Sequence, residues 1–229
     1  SENATSGFSI VRWTGSGSNA TIGHGLGAEP KFIIVKNRSA TAGWGIYHRN
    51  ASTSGWESYL QLNTNGQVST AGTMWNDTQP TSSVFSIGTN ARVNTSSENY
   101  VAYCFTPIKG YSAFGSYQGT GNANGTYVYT GFKPAWFLVK SLDATQNWQL
   151  WDSKRNSSTP VPPIGNPRVR TLSPSVNNSE TGDYEVDFCS TGVKIRNNDT
   201  AWNGDNNNYI YMCFAECPLV AGGVVSTGG

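Results

Sequence analysis

Apolar residues along this chain recur at the period of a β-strand, and no stretch sustains the 3.6-residue period of a helix. From Gly7 to Trp13, Phe8, Ile10 and Arg12 point one way and Ser9, Val11 and Trp13 the other. Tyr59-Leu60-Gln61-Leu62 alternates similarly, and turns rich in Gly, Ser, Asn and Pro separate such runs. Three runs do not alternate: Phe32 to Val35, Trp136 to Val139 and Tyr209 to Phe214 are apolar on both sides. A strand of that kind is covered on both faces, by the other half of the chain or by another subunit.

The strand pattern is written twice. Gly27-Ala28-Glu29-Pro30-Lys31-Phe32-Ile33-Ile34-Val35-Lys36 returns as Gly131-Phe132-Lys133-Pro134-Ala135-Trp136-Phe137-Leu138-Val139-Lys140, 104 positions later. The same offset joins Gly15 and Gly17 to Gly119 and Gly121, and Trp44 to Trp148. Tyr100 to Phe105 returns as Tyr209 to Phe214 at an offset of 109, so the halves differ mainly in loop length. The expected fold is all-β: two homologous antiparallel β-sandwich repeats of jelly-roll or lectin-like form, related by internal duplication. The boundaries implied are 1–107, 108–218 and a glycine-rich tail or linker, 219–229. Gly15-Ser16-Gly17 and Gly119-Thr120-Gly121 are expected as hairpin turns.

Composition narrows the chemistry. With 13% charged residues and a formal net charge of +1, the chain has no electrostatic footprint for nucleic acid and no polybasic segment for a membrane surface. No apolar run is long enough to insert in a bilayer, and Ser1 to Thr5 lacks signal-peptide character, so export by that route needs a signal already removed. Cys104 and Cys213 fall inside apolar strands as buried small hydrophobes, while Cys189 and Cys217 are candidate disulfide partners for Cys213. Only His24 and His48 are available to a metal, without zinc spacing, so neither a metal nor another cofactor is expected.

No hydrolase, metalloprotease or phosphate-loop motif occurs, and no catalytic residue is assigned. Asp183, Glu185 and Asp187 alternate along one strand face and read as solvated. Aromatic residues reach 12% of the chain, and saccharide sites combine exposed aromatic faces with a few placed polar groups. Trp56, Trp75 and Trp202 lie in polar, loop-like surroundings and are the candidate ligand-binding aromatics, with Asn203 and Asp205 beside Trp202. Trp13, Trp44, Trp136, Trp148 and Trp151 lie on strands and are assigned to packing. Asp199 to Asn206 reads as an Asx-rich turn in preference to a calcium loop. Sequons at Asn3, Asn19, Asn37, Asn50, Asn76, Asn94, Asn124, Asn156, Asn177 and Asn198 are expected to mark surface loops.

The strings Tyr100 to Phe105, Gly110 to Tyr117, Thr130 to Lys140, Trp151 to Asn156 and Tyr209 to Glu216 together resemble a duplicated, lectin-like β module of unknown function. That module is found at the C-terminal ends of tailed-bacteriophage tail-fibre and virion surface proteins. The resemblance spans about residues 7 to 218 and implies a non-enzymatic receptor-binding module on the virion surface, in an extracellular setting. Its implied partners are cell-surface glycan or another host receptor and other virion proteins, within a homo-oligomer, a trimer in fibres. A structural fibre or capsid-decoration subunit and a polysaccharide depolymerase are the alternative expectations.

Overall fold

The computed structural model describes residues 1–51, 56–155, 167–182 and 186–218, with the backbone of two further short strands, Val220–Ala221 and Val224–Val225. Asp183, Tyr184 and Glu185, most of the proline-rich segment 156–167 and most of the tail lie outside the described residues. The chain divides into two compact units, Ser1–Ile108 and Lys109–Gly229.

In the first unit the strands are β1 (Glu2–Asn3), β2 (Phe8–Thr14), β3 (Ala20–Gly23), β4 (Phe32–Asn37), β5 (Gly45–His48), β6 (Ser58–Gln61), β7 (Ser69–Thr70), β8 (Val84–Ile87) and β9 (Asn99–Phe105). A single-turn helix, α1 (Gly72–Trp75), precedes β8. Seven strands form one antiparallel sheet in the order β1-β2-β9-β4-β5-β6-β7, and β3 pairs with β8 separately. Alternation along the strands decides the core. Ile33, Val35, Tyr47, Tyr100, Ala102 and Cys104 of the large sheet pack against Phe85 and Ile87 of β8 and against Met74 and Trp75 of α1.

The second unit holds β10 (Ser112–Gln118), β11 (Tyr127–Tyr129), β12 (Pro134–Ser141), β13 (Gln149–Asp152), β14 (Pro167–Arg168), β15 (Val186–Cys189), β16 (Gly192–Ile195), β17 (Asn208–Ala215) and the terminal pair β18 (Val220–Ala221) and β19 (Val224–Val225). Its two four-stranded sheets run β10-β17-β12-β13 and β11-β16-β15-β14. Phe137, Val139, Trp151, Tyr209, Tyr211 and Cys213 of the first face Val128, Val186, Phe188, Val193 and Ile195 of the second. Two sheets sharing one apolar layer is the arrangement of a β-sandwich.

The chain is therefore all-β, with one short helix among the described residues. The order β2-β9-β4-β5 in one unit and the order β10-β17-β12-β13 in the other run in parallel, strand for strand. In both, the last long strand is central, β9 between β2 and β4 and β17 between β10 and β12, so its two neighbours hydrogen-bond both of its edges. β17 is buried on both faces from Tyr209 to Cys213, whereas β9, at the same place in its sheet, alternates between buried and half-buried residues.

The glycine turns after β2 and β10 are not hairpins. β2 pairs with β1 and β9, while β3 pairs with β8, so Gly15 to Gly17 carries the chain from one sheet to the other. Gly119 to Gly121 does the same between β10 and β11. Glycine is required at both by close approach: a Cβ at Gly15 would lie 2.0 Å from the Thr95 carbonyl oxygen, and one at Gly119 2.2 Å from that of Gly204. Gly17 and Gly121 have φ of +71° and +62°, where a side chain would be strained.

Candidate functional site

The crossing turns are held by buried asparagines. In the second unit Asn203 is fully buried. Its Oδ1 accepts from Thr120 N at 3.0 Å, and its Nδ2 donates to Asn122 O and Asn197 O, each at 2.8 Å. Gly121 N donates to Asn203 O at 2.9 Å. Beside it Tyr209 donates to Thr200 O at 2.8 Å and accepts from Gly204 N at 2.7 Å, with Tyr117 stacked on its ring at 5.1 Å.

The first unit has the same arrangement around Asn94. Its Oδ1 accepts from Ser16 N at 2.8 Å, and its Nδ2 donates to Ser18 O at 2.6 Å and Gly88 O at 2.9 Å. Tyr100 donates to Ala91 O at 2.9 Å and accepts from Thr95 N at 2.8 Å, and Trp13 stacks on it at 5.4 Å. Burial pushes the Tyr100 and Tyr209 hydroxyls above their ordinary pKa, which keeps both as donors.

These contacts correct the expectation of exposed ligand groups. Trp75 is 2% exposed, because α1 turns it into the core, where Nε1 donates to Ser58 O at 3.1 Å and its ring edge meets Tyr47. Trp202 is 1% exposed and packs edge-on against Trp151 at 5.5 Å. Asn203 spends its amide on the turn. Trp56 is half-buried, with the Arg49 guanidinium 4.3 Å from its ring centre. Only Asp205 is exposed, against the Gly121 turn. The structure brings Trp202, Asn203 and Asp205 together around one turn, while Trp56 and Trp75 lie in the other unit. Asn37 and Asn94 are also buried, at 2% and 1% exposure, so those two sequons are not on the surface.

Other expectations about chemistry resolve similarly. Asp199 Oδ1 accepts from Ala201 N at 2.8 Å and its carbonyl from Asn203 N at 2.7 Å, an Asx-type turn closed on itself. Cys104 and Cys213 are buried, and burial pushes the Cys104 thiol up to about 12. All four cysteines are free thiols. Asp187 faces outward and pairs with Arg196 at 2.6 Å.

The large apolar side chains that are exposed among the described residues are Tyr129 at 68%, Tyr127 at 43% and Val176 at 40%. The two tyrosines were not singled out in the sequence. They flank Val128 on β11, and Val128 is turned into the core, so both rings project from the opposite face. At strand geometry their Cα atoms are about 7 Å apart.

Register places polar groups beside them. Tyr127 lies opposite Lys194, and Lys194 opposite Asp187; Tyr129 lies opposite Gly192. Gly192 leaves room for the Tyr127 ring, whose Cζ would be 3.1 Å from a Cβ there. The Tyr127 hydroxyl shares a hydrogen bond with Thr191 Oγ1 at 2.8 Å, and the Lys194 ammonium donates to the Gly125 carbonyl. This face offers two aromatic rings, one hydroxyl pair and the Asp187–Arg196 ion pair.

Residues 1–218 match a family described as Domain of unknown function (DUF7483). The chain belongs to that family. No curated protein and no solved structure matches it.

Proposed function

We propose that this DUF7483 domain is a non-enzymatic recognition module of a virion surface, of tail-fibre type, and that its second unit contacts cell-surface saccharide through Tyr127 and Tyr129. The observation that carries the reading is the exposure of two tyrosine rings on one strand, flanked by hydroxyl, carboxylate and guanidinium groups. An aromatic ring stacks on the apolar face of a sugar, and neighbouring polar groups orient its hydroxyls. The setting on an extracellular virion, in a trimer, rests on the resemblance of the sequence strings to phage fibre modules.

In the same reading the two units are copies of one jelly-roll or lectin-like sandwich. The matching strand orders and the matching Asn94 and Asn203 networks support that descent. Glycan-array binding of the intact chain tests the recognition. Wild type should bind a definable set of saccharides, and Tyr129→Ala should lose that signal while keeping its thermal midpoint. An empty array, or a Tyr127→Ala/Tyr129→Ala variant that binds as wild type, would remove the proposal.

A second reading, a structural fibre or decoration subunit, is favoured by the side of the large sheet turned away from its core. That side carries Ile10, Ile34, Val101 and Tyr103, an apolar set suited to packing. Saccharide binding separates the two, since both readings assemble and a purely structural subunit binds no saccharide.

A further inference from the structure

On the first unit's large sheet, β2, β9 and β4 lie side by side, with Arg12 opposite Val101 and Val101 opposite Lys36. One step further along, Thr14 lies opposite Asn99, and Arg38 extends the ladder by donating its backbone N–H to Asn99 O at 2.7 Å. Side chains of alternate residues share a face, so Arg12, Lys36 and Arg38 project from the same side around Val101 and Asn99.

A cleft of about 250 Å³ opens there, lined by Arg12, Trp13, Thr14, Arg38, Asn99 and Tyr100. A broader depression of about 540 Å³ formed by residues 36–41 is also lined by Arg38. Arg12 and Arg38 are both exposed, and among the described residues neither guanidinium joins an ion pair. Lys36 is engaged, donating to Ala42 O at 2.6 Å with its ammonium 5.7 Å from the Trp44 ring centre. The neighbouring carboxylate, Glu98, accepts from the Asn37 amide through Oε2.

Neutral donors complete the lining. Thr14 Oγ1 donates to Asn99 Oδ1 at 3.2 Å and so orients the amide, and Asn99 Nδ2 is 3.4 Å from Ser39 Oγ, a long contact that leaves the amide hydrogens available. Two like charges in one cleft repel each other, and an anion between them converts that repulsion into attraction. Guanidinium presents paired N–H groups that match two oxygens of a carboxylate, sulfate or phosphate. The positions 104 later are Ser116 and Leu142, so the cluster belongs to the first unit alone.

We propose that the cleft between Arg12 and Arg38 binds an oxyanion carried by a polar ligand, held by the two guanidiniums with the Asn99 amide donating to a remaining oxygen. The inference does not depend on the tyrosine face. It places a charged determinant on one unit whatever the other unit contacts.

The test is calorimetric and NMR titration of the full chain at low salt with three probes: N-acetylneuraminate, a sulfated monosaccharide and inorganic phosphate. At least one should bind, with affinity falling as salt is raised. Arg12→Ala or Arg38→Ala should weaken it roughly tenfold, and the double variant should abolish it. Arg38→Lys should recover only part, because charge returns without the fork. Lys109→Ala, which removes an exposed cation outside the cleft, should leave it unchanged. The probe that binds identifies the group, carboxylate, sulfate or phosphate. Absence of binding by all three, or an Arg12→Ala/Arg38→Ala double variant that binds as wild type, overturns the proposal. Both arginines are exposed, so the variants should keep the wild-type thermal midpoint and remain interpretable.

Discussion

The two units agree inside and differ outside. Asn94 and Asn203 each hold a crossing turn through three hydrogen bonds, and Tyr100 and Tyr209 each bridge the same pair of backbone groups beside them. On the outward side of the matching edge strands, however, β3 presents Thr21 and Gly23 where β11 presents Tyr127 and Tyr129. Arg12 and Arg38 have Ser116 and Leu142 at the corresponding places. A buried polar network must be complete or it destabilises the fold, so its members change little. An exposed side chain has no such constraint, and there the units are free to acquire separate tasks.

The largest effect that would break this comparison comes from the asparagines. Asn94→Ala and Asn203→Ala each leave one backbone N–H and two carbonyls without their partner. Each should cost about 3 kcal/mol, read by urea denaturation of the intact chain. Comparable losses sustain the equivalence of the two networks. A loss below about 1 kcal/mol at either site would show that the likeness is geometric only.

The next effect separates the units. Lys36 is half-exposed, while Lys140 is fully buried, and desolvation draws its ammonium down to about 8. Between pH 8 and 10 the unfolded chain still binds that proton and the native chain does not, so stability should rise with pH across this window. The rise should be on the order of 2 kcal/mol. Lys140→Met should flatten it, whereas Lys36→Met should not. A profile unchanged by Lys140→Met removes this difference between the units. Above pH 10 the buried tyrosines act oppositely, since their raised pKa values favour the native state only while the unfolded hydroxyls remain protonated.

The surface difference is sharpened by Tyr129→Ala, which should reduce saccharide affinity by about tenfold and change stability by less than about 0.5 kcal/mol. Introducing Thr21→Tyr and Gly23→Tyr in the first unit should not create binding without the neighbouring polar groups.

The smallest effect is His24, a first-unit group, since the second unit has no histidine. Its Nδ1 accepts from Leu26 N at 3.2 Å and its Nε2 faces Thr81 O at 3.2 Å, which the neutral ring satisfies. Burial lowers its pKa from 6.5. As pH falls below 6.5 the unfolded chain takes up a proton that the native chain resists, so stability falls. The slope is at most about 1.4 kcal/mol per pH unit, and His24→Gln should remove it in acid-unfolding curves.

The tryptophans show why part of the candidate site was illegible. Trp75 precedes Asn76 and Asp77, and Trp202 precedes Asn203, Gly204 and Asp205, so the local composition reads as exposed loop. Asn203 holds the Gly119 to Gly121 turn and Asp77 Oδ1 accepts from Trp56 N at 2.7 Å, while both tryptophan rings point inward. Local polarity reports where hydrogen bonds are needed, not where solvent is. Tyr127 and Tyr129 carried a usable signal in the alternation Thr126-Tyr127-Val128-Tyr129. That alternation separates Val128 from the tyrosines without naming the buried side.

What the sequence by itself determined was the strand-rich secondary structure. Period-two alternation, paired glycines and prolines at equal offsets are local chemistry, and they specify strands, turns and the all-β class. What only the tertiary structure decided was direction. Strand pairing across residues far apart in the chain set which side of β11 is buried, turned Trp202 and Asn203 into the interior, and put Arg12 and Arg38 on one face. Sidedness depends on the partner strand, and no single stretch of sequence contains its partner.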